Sequence, residues 1–228
     1  RGTLRFTGLT PWPITPGSPG VMGWFAFLPF LECYHGVLSL DHAIEGELTF
    51  NGRSINFTGG RGYIEKDWGR SFPQAWIWLQ SNHFATPGTS LMASVARVPL
   101  LGRALRGFIV GLWHGGQLYR FATYTGAAIT ELRVTDTQVY LILTGKNRSG
   151  PKGRIRRHRL VITAQRSEAG SLLHQPTGAA MVQRVAETLS AAVAVRLVEL
   201  EGRGERVLYE GLGRHAGLEV MGPLETLR

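Results

Sequence analysis

Apolar and polar residues alternate in short runs along most of this chain, the period-2 pattern of strands buried on one face. The clearest local signal is GELTF-NG-RSINF, in which Asn51-Gly52 separates two alternating runs. A type I′ turn needs φ > 0 at both central residues, and Asn-Gly supplies it, so this segment predicts a hairpin. Further strands are predicted over 62–67, 75–84, 90–98 and 105–114. Gly115-Gly116 then turns the chain into 117–124 as a second hairpin. The pair 129–134 and 138–143 flanks Thr135-Asp136-Thr137, and strands over 154–163, 193–200, 206–210 and 217–221 complete the count. Residues 9–20 (LTPWPITPGSPG) read as an irregular loop, because their prolines fix φ and remove backbone donors. Residues 23–34, rich in Trp24, Phe25, Phe27 and Phe30, fit either a greasy lid or core. Over 179–194 the Ala, Glu and Leu content fits a helix, and strands fit as well. No internal repeat, low-complexity tract or linker is visible. The expected fold is all-β with few short helices, an antiparallel sandwich or barrel. An up-and-down barrel able to hold one small apolar ligand is the simplest closed form.

Composition supports that reading. Of 228 residues, 30 are Gly and 11 are Pro, which leaves little room for long helices. With 43% apolar and 18% charged residues, neither disorder nor a coiled coil fits. A single cysteine, Cys33, excludes an internal disulfide framework and any multi-cysteine metal site. The richest apolar stretch, residues 21–34, is broken by Gly23, Pro29 and Glu32 and is too short to span a bilayer as a helix.

The net charge of +9 is unevenly spread. Between Trp68 and Ser167 there are two carboxylates, Glu131 and Asp136, against fourteen Lys and Arg. Seven of these basic residues lie between Lys146 and Arg159, in KNRSGPKGRIRRHR. The run reads first as a solvated hairpin tip, and after that as a patch for peripheral contact with an anionic membrane. Nucleic acid ranks last, because the run lacks interleaved aromatics. The expected location is cytoplasmic, at or near a membrane surface.

The segment GYIEKDWGRSFPQAWIWLQSNHF, residues 62–84, concentrates the candidate chemistry. In an extended backbone Tyr63, Glu65 and Asp67 share one face, and Lys66 and Trp68 take the other. Two carboxylates at i and i+2 repel, which raises the pKa of one of them where the site is partly buried. A protonated carboxylic acid in an apolar pocket is what general-acid chemistry near neutral pH requires. In the following strand Trp76, Trp78, Gln80 and Asn82 share a face that runs from indoles to amides, as in a ligand pocket. Indole faces also stabilise cations. A purely structural role is open to each: ion pairs with Lys66, Arg61 or Arg70 for the carboxylates, core packing for the tryptophans, and hydrogen bonding for His35 and His83. No HxH or HExxH metal spacing, GxSxG elbow, P-loop or GxGxxG is present.

The block E-K-D-W-G … F-P … W-x-W-x-Q-x-N, over residues 65–82, together with LTPWPITPGSPGVMGWFAFLPFLECYHG upstream, resembles the tocopherol cyclase family, in its bacterial tocopherol cyclase-like branch. The resemblance runs from about Leu9 to Gly217 and is specific mainly in those two blocks. It implies a lipocalin-like β-barrel related to that of carotenoid hydratases. It also implies a single region over 1–228 that lacks an N-terminal part of the full architecture. The implied reaction is ring closure of a prenylated quinol without redox change or cofactor. An acid protonates the alkene of the isoprenoid tail, and the phenol oxygen captures the tertiary cation as a chromanol. On the family pattern Glu65 and Asp67 are the catalytic carboxylates. Plant members carry Asn at the position of Asp67, which moves the expected donor to Glu65. His35 is a secondary candidate for the phenol proton. Lys66, Trp68, Trp76 and Trp78 fall to the substrate pocket, with Gln80 and Asn82 orienting the quinol hydroxyls. The alternatives are a hydratase, in which water captures the cation, and a lipid-binding barrel without catalysis.

Overall fold

The computed structural model describes residues 1–100, 103–149, 153–167, 171–178, 180–202 and 204–227. Strand β1 (Gly2–Thr7), β2 (Cys33–Phe50), β3 (Arg53–Asn56) and β4 (Gly60–Gly69) form a small antiparallel sheet. β2 is its spine: β1 pairs along one edge, and β3 and β4 follow one another along the other. The β2–β3 turn has φ of 48° at Asn51 and 74° at Gly52, the left-handed pair that the Asn-Gly dipeptide predicts.

The remaining strands are β5 (Trp76–Ser81), β6 (His83–Phe84), β7 (Ser90–Leu100), β8 (Arg103–His114), β9 (Gln117–Ala122), β10 (Ala128–Val134), β11 (Gln138–Ser149), β12 (Arg154–Gln165), β13 (Ser171–Pro176), β14 (Met181–Glu201) and β15 (Gly204–Met221). They make one antiparallel sheet in the order β10-β11-β12-β14-β15-β5-β7-β8-β9, with β6 on β15 and β13 on β14. The sheet closes on itself where β9 meets the far half of β11. Arg120 N donates to Asn147 Oδ1 at 2.7 Å, and the Gln117 side-chain amide donates to the Arg148 carbonyl. The result is an eight-stranded, lipocalin-like barrel, β11-β12-β14-β15-β5-β7-β8-β9. Residues 179–194, which fitted helix or strand, run within β14 from Met181 onward, with Ala179 outside the described residues. The segments 206–210 and 217–221 are two parts of the single strand β15. No helix among the described residues is long and apolar enough to cross a membrane.

One expectation is corrected. The barrel interior is not a ligand chamber but a packed core of Leu79, Val110, Leu112, Phe121, Leu141, Leu143, Leu160, Ile162, Val193 and Leu197, all buried. Eight strands enclose a space that side chains fill, and here large apolar residues from every wall fill it.

The outer face of β5, β7 and β8 is covered as well, by the small sheet and the loop before it. Trp12, Val21, Val37, Leu40 and Met92 form a second core in this seam. Gly111 is required there: a Cβ on it would come within 2.4 Å of the Trp12 ring. Asn82, after β5, donates to the Gly62 carbonyl at 2.8 Å and to Asp41 Oδ1 at 3.4 Å, tying the small sheet to the barrel, and Asp41 also pairs with Arg61 within the small sheet. The β13–β14 hairpin projects past the barrel rim and touches the end of β4, with a bridge between Ser71 and Thr177.

Strand register also orients the barrel ends. The β11–β12 tip lies beside the β14–β15 turn, through the pairs Arg157 with Leu200 and Leu200 with Glu205. Trp76, by contrast, pairs with Met221 at the other end of β15. The exposed Lys146, Arg148, Arg154, Arg156 and Arg157 therefore crowd the end opposite to Trp76, and Lys152 of the same run lies outside the described residues.

Candidate functional site

A cavity of about 650 Å³ lies in the seam at the Trp76 end, between the barrel's outer face and the small sheet. Register builds its barrel wall. Glu187, Glu219, Trp78, Ser94 and Ile109 are successive cross-strand partners over β14, β15, β5, β7 and β8, so their side chains share one face in a row. Trp76, Ala96 and Gly107 form the next row. The small sheet contributes Tyr63, Glu65 and Asp67 from β4, with Cys33 and His35 from β2. Met22, Phe25 and Leu31 close it from the apolar stretch 21–34, in which Gly23–Phe27 form a short 3-10 turn. Leu173, His174 and Val185 of the β13–β14 hairpin complete the wall.

On β4, alternation places Tyr63, Glu65 and Asp67 on the cavity side, and the β2–β4 register sets His35 directly opposite Asp67. His35 Nδ1 lies 2.6 Å from Asp67 Oδ1, and His35 Nε2 lies 3.6 Å from Glu65 Oε2. The Tyr63 hydroxyl donates to the same Glu65 oxygen. Glu65 is the most enclosed of the carboxylates in this trio, its side chain 16% exposed against 32% for Asp67. Burial pushes the Glu65 carboxyl up from 4.5 to about 7. The nearby His35 charge and the Tyr63 hydrogen bond pull the other way, and the charge of Asp67 adds to the rise. Burial alone would lower the His35 pKa. The Asp67 hydrogen bond, then the charges of Glu65 and Asp67, outweigh it and leave His35 above the ordinary histidine value. The three side chains bring their donor atoms within 4.8 Å of one another, close enough to hold a metal ion. The short contact joins His35 to the more exposed Asp67, and the other ring nitrogen, buried without a hydrogen-bond partner, faces Glu65 at 3.6 Å. Cys33 is no nucleophile here, since burial, with the Asp67 charge, holds its thiol at about 12.

The barrel wall carries a second carboxyl pair that sequence reasoning missed. Trp76 Nε1 donates to Glu219 Oε2 at 2.6 Å. Burial pushes Glu219 up to about 7 against that hydrogen bond, with Glu187, Asp67 and Glu65 adding to the rise, and burial raises Glu187 too. Glu187 and Glu219 are 32 positions apart, and nothing local marks them. Only the β14–β15 pairing and the period-2 rule place both on the face of Trp78.

Of the residues singled out from sequence, the structure gathers His35, Glu65, Asp67, Trp76 and Trp78 around the cavity. Lys66 reaches its edge, with its ammonium 4.8 Å over the Trp68 ring. Trp68 does not line it: the indole stacks on Tyr34 at 5.6 Å, on the opposite face of β4. Gln80 shares the strand face of the two tryptophans but lies beyond the cavity, its amide nitrogen buried without a partner. Asn82 follows β5 and holds the Gly62 carbonyl in the seam, beside a separate cleft at the other end. The face running from indoles to amides thus leaves the pocket after Trp78.

The chain is similar to several known proteins. A sequence-family model described as tocopherol cyclase-like matches residues 9–222. The chloroplastic tocopherol cyclase of Zea mays is 27% identical over 210 residues, covering 88% of this chain and 41% of that protein. A probable chloroplastic tocopherol cyclase of Oryza sativa subsp. japonica is 25% identical over 217 residues, covering 92% and 44%. The chain therefore spans less than half the length of these curated relatives. Among solved structures, CghA superposes with a TM-score of 0.50 at 12% identity, over 97% of this chain and 61% of that one, and shares the fold. Kievitone hydratase from Nectria haematococca gives 0.42 at 12% identity, over 83% and 53%.

Proposed function

The chain belongs to the tocopherol cyclase-like family, and from that premise we propose that its cavity carries out acid-catalysed cyclisation of a prenylated quinol. The observation that carries the reading is Glu65: a carboxyl held at about 7 by burial in an indole-lined cavity, so that a large share is protonated near neutral pH. Its proton goes to the trisubstituted alkene of the isoprenoid tail, which becomes a tertiary cation. The faces of Trp76 and Trp78 stabilise that charge beside the apolar walls of the cavity. The phenol oxygen captures the cation, a C–O bond closes the chromanol ring, and the phenol proton leaves. One proton enters and one departs, so the balance closes without a redox step. Glu65 is recharged through His35, whose Nε2 faces it and whose Nδ1 is held by the more exposed Asp67.

The test is single-turnover assay of the protein and its Glu65→Gln variant with prenylated quinols, products resolved by mass spectrometry. A chromanol from the parent, slowed at least about 100-fold in the variant, is expected from the loss of a general acid. A tertiary alcohol in place of the chromanol would make the protein a hydratase. Tight binding with unchanged ligand would make it a lipid-binding barrel.

A further inference from the structure

Phenol capture needs a group to receive the phenol proton, and the trio on the small sheet is engaged on the acid side. His35 contacts Asp67 through one ring nitrogen and faces Glu65 with the other. We infer that Glu219, on the barrel wall across the cavity from that trio, is the base that takes the phenol proton, so that separate carboxyl groups deliver and receive protons in one turnover. This inference rests on the cyclase reading.

Three observations support it. Glu219 lines the same cavity from a different sheet, so a ligand between the walls reaches both carboxyls. Trp76 Nε1 donates to it at 2.6 Å, which pins the carboxylate beside the indoles and favours its ionised form. Glu187 stands directly opposite it in the β14–β15 register. Like charges in that relation destabilise a sheet, and a proton on either carboxyl relieves the repulsion. A pair that gains stability on protonation, set against an apolar pocket, is a proton acceptor for a hydroxyl-bearing head group. The raised pKa of both members agrees with this.

The step balances. The Glu65 O–H breaks as a C–H bond forms at the less substituted alkene carbon. A phenol lone pair makes the C–O bond to the tertiary carbon, and the phenol O–H breaks with its proton going to Glu219. Afterwards Glu65 is ionised and Glu219 protonated. Loss of a proton to solvent from one and uptake through Asp67 and His35 by the other restore the resting state.

The experiment compares the parent, Glu219→Gln and Glu65→Gln in D₂O, under single-turnover conditions, with a prenylated quinol in detergent micelles. Glutamine keeps an acceptor for the Trp76 N–H and cannot take a proton. Chromanol formation should fall at least about 100-fold in Glu219→Gln, within the range of general-base effects. Its alkene protonation should persist, seen as deuterated tertiary alcohol from water capture. Glu65→Gln should lose both products. In the parent, kcat/KM should fall on both sides of neutrality, and Glu219→Gln should lose only the acid-side fall, which a merely structural residue would not remove. Chromanol formation within threefold of the parent, or an unchanged acid-side fall, overturns the role of Glu219. A parent that makes no chromanol overturns the cyclase reading itself.

Discussion

Replacing Glu65 by Gln should stabilise the fold, and by an amount that depends on pH. The Glu65 carboxyl sits at about 7 in the folded protein against an ordinary 4.5, with burial the largest cause. The folded state therefore holds this proton to a higher pH than the unfolded chain does. The sign follows: the group weighs nothing against the fold below 4.5, and stability is lost as pH rises from there through about 7. At roughly 1.4 kcal/mol for each tenfold difference in proton affinity, the full penalty is about 3 kcal/mol, of which about 2.5 develops between pH 5 and pH 8. The side chain is 16% exposed, so solvent screening does not erase the effect. Gln cannot ionise, and its amide oxygen can still accept from the Tyr63 hydroxyl. The assay is chemical and thermal denaturation of both proteins at pH 5 and pH 8, followed by tryptophan fluorescence. The variant should gain about 2.5 kcal/mol on the parent over that interval, or roughly 5–10 °C in Tm for a chain of this size. It should at the same time be close to inactive, the trade expected of a strained catalytic group. A stability difference that stays constant between the two pH values would refute the claim that Glu65 is buried against its charge.

Asp67→Ala, which leaves His35 Nδ1 without a partner, should lower kcat by about 10- to 100-fold with KM within twofold, if Asp67 feeds protons to Glu65 through His35; an unchanged kcat removes the relay. Gly217→Ala should cost about 1–3 kcal/mol in denaturant titration and shift the tryptophan emission, because the new Cβ would sit 2.8 Å from the Trp78 ring; a silent substitution contradicts the packing of that wall. Reversing the charge of Arg154, Arg156 and Arg157 together should weaken binding to anionic vesicles by at least about 100-fold at low salt, on the basis of roughly 1 kcal/mol for each basic residue lost. Turnover of detergent-dispersed substrate should not change, since these residues crowd the barrel end away from the cavity. Vesicle binding that survives the reversal would place the membrane contact elsewhere.

Much of the fold is legible in local pattern. Asn51-Gly52 and Gly115-Gly116 adopt left-handed backbone at both central positions and set two hairpin registers. Alternation in 62–67 puts Glu65 and Asp67 on one face whatever the partner strand, because a period of two leaves no other choice. His35 was visible as a residue but not as a neighbour: its contact with Asp67 depends on β2 pairing with β4 in one register across more than 30 positions.

Sequence by itself therefore determined most of the strands, the tight turns and the two faces of each strand, while β1, β13 and the start of β2 carried no clear pattern and 179–194 fitted helix or strand. It could not say which face looks where. In β5, Ile77 and Leu79 fill the barrel while Trp76 and Trp78 face outward into the seam, and both sets are apolar, so hydrophobicity carries no sign of inside or outside. That ambiguity hid the place of the cavity, and local pattern could not show that the cavity ends along this face after Trp78, before Gln80. Glu187 and Glu219 were hidden for the complementary reason. Each is an ordinary strand glutamate until sheet closure lays β14, β15 and β5 side by side and the small sheet covers that face. Burial raised their proton affinity, and burial exists only in the tertiary structure.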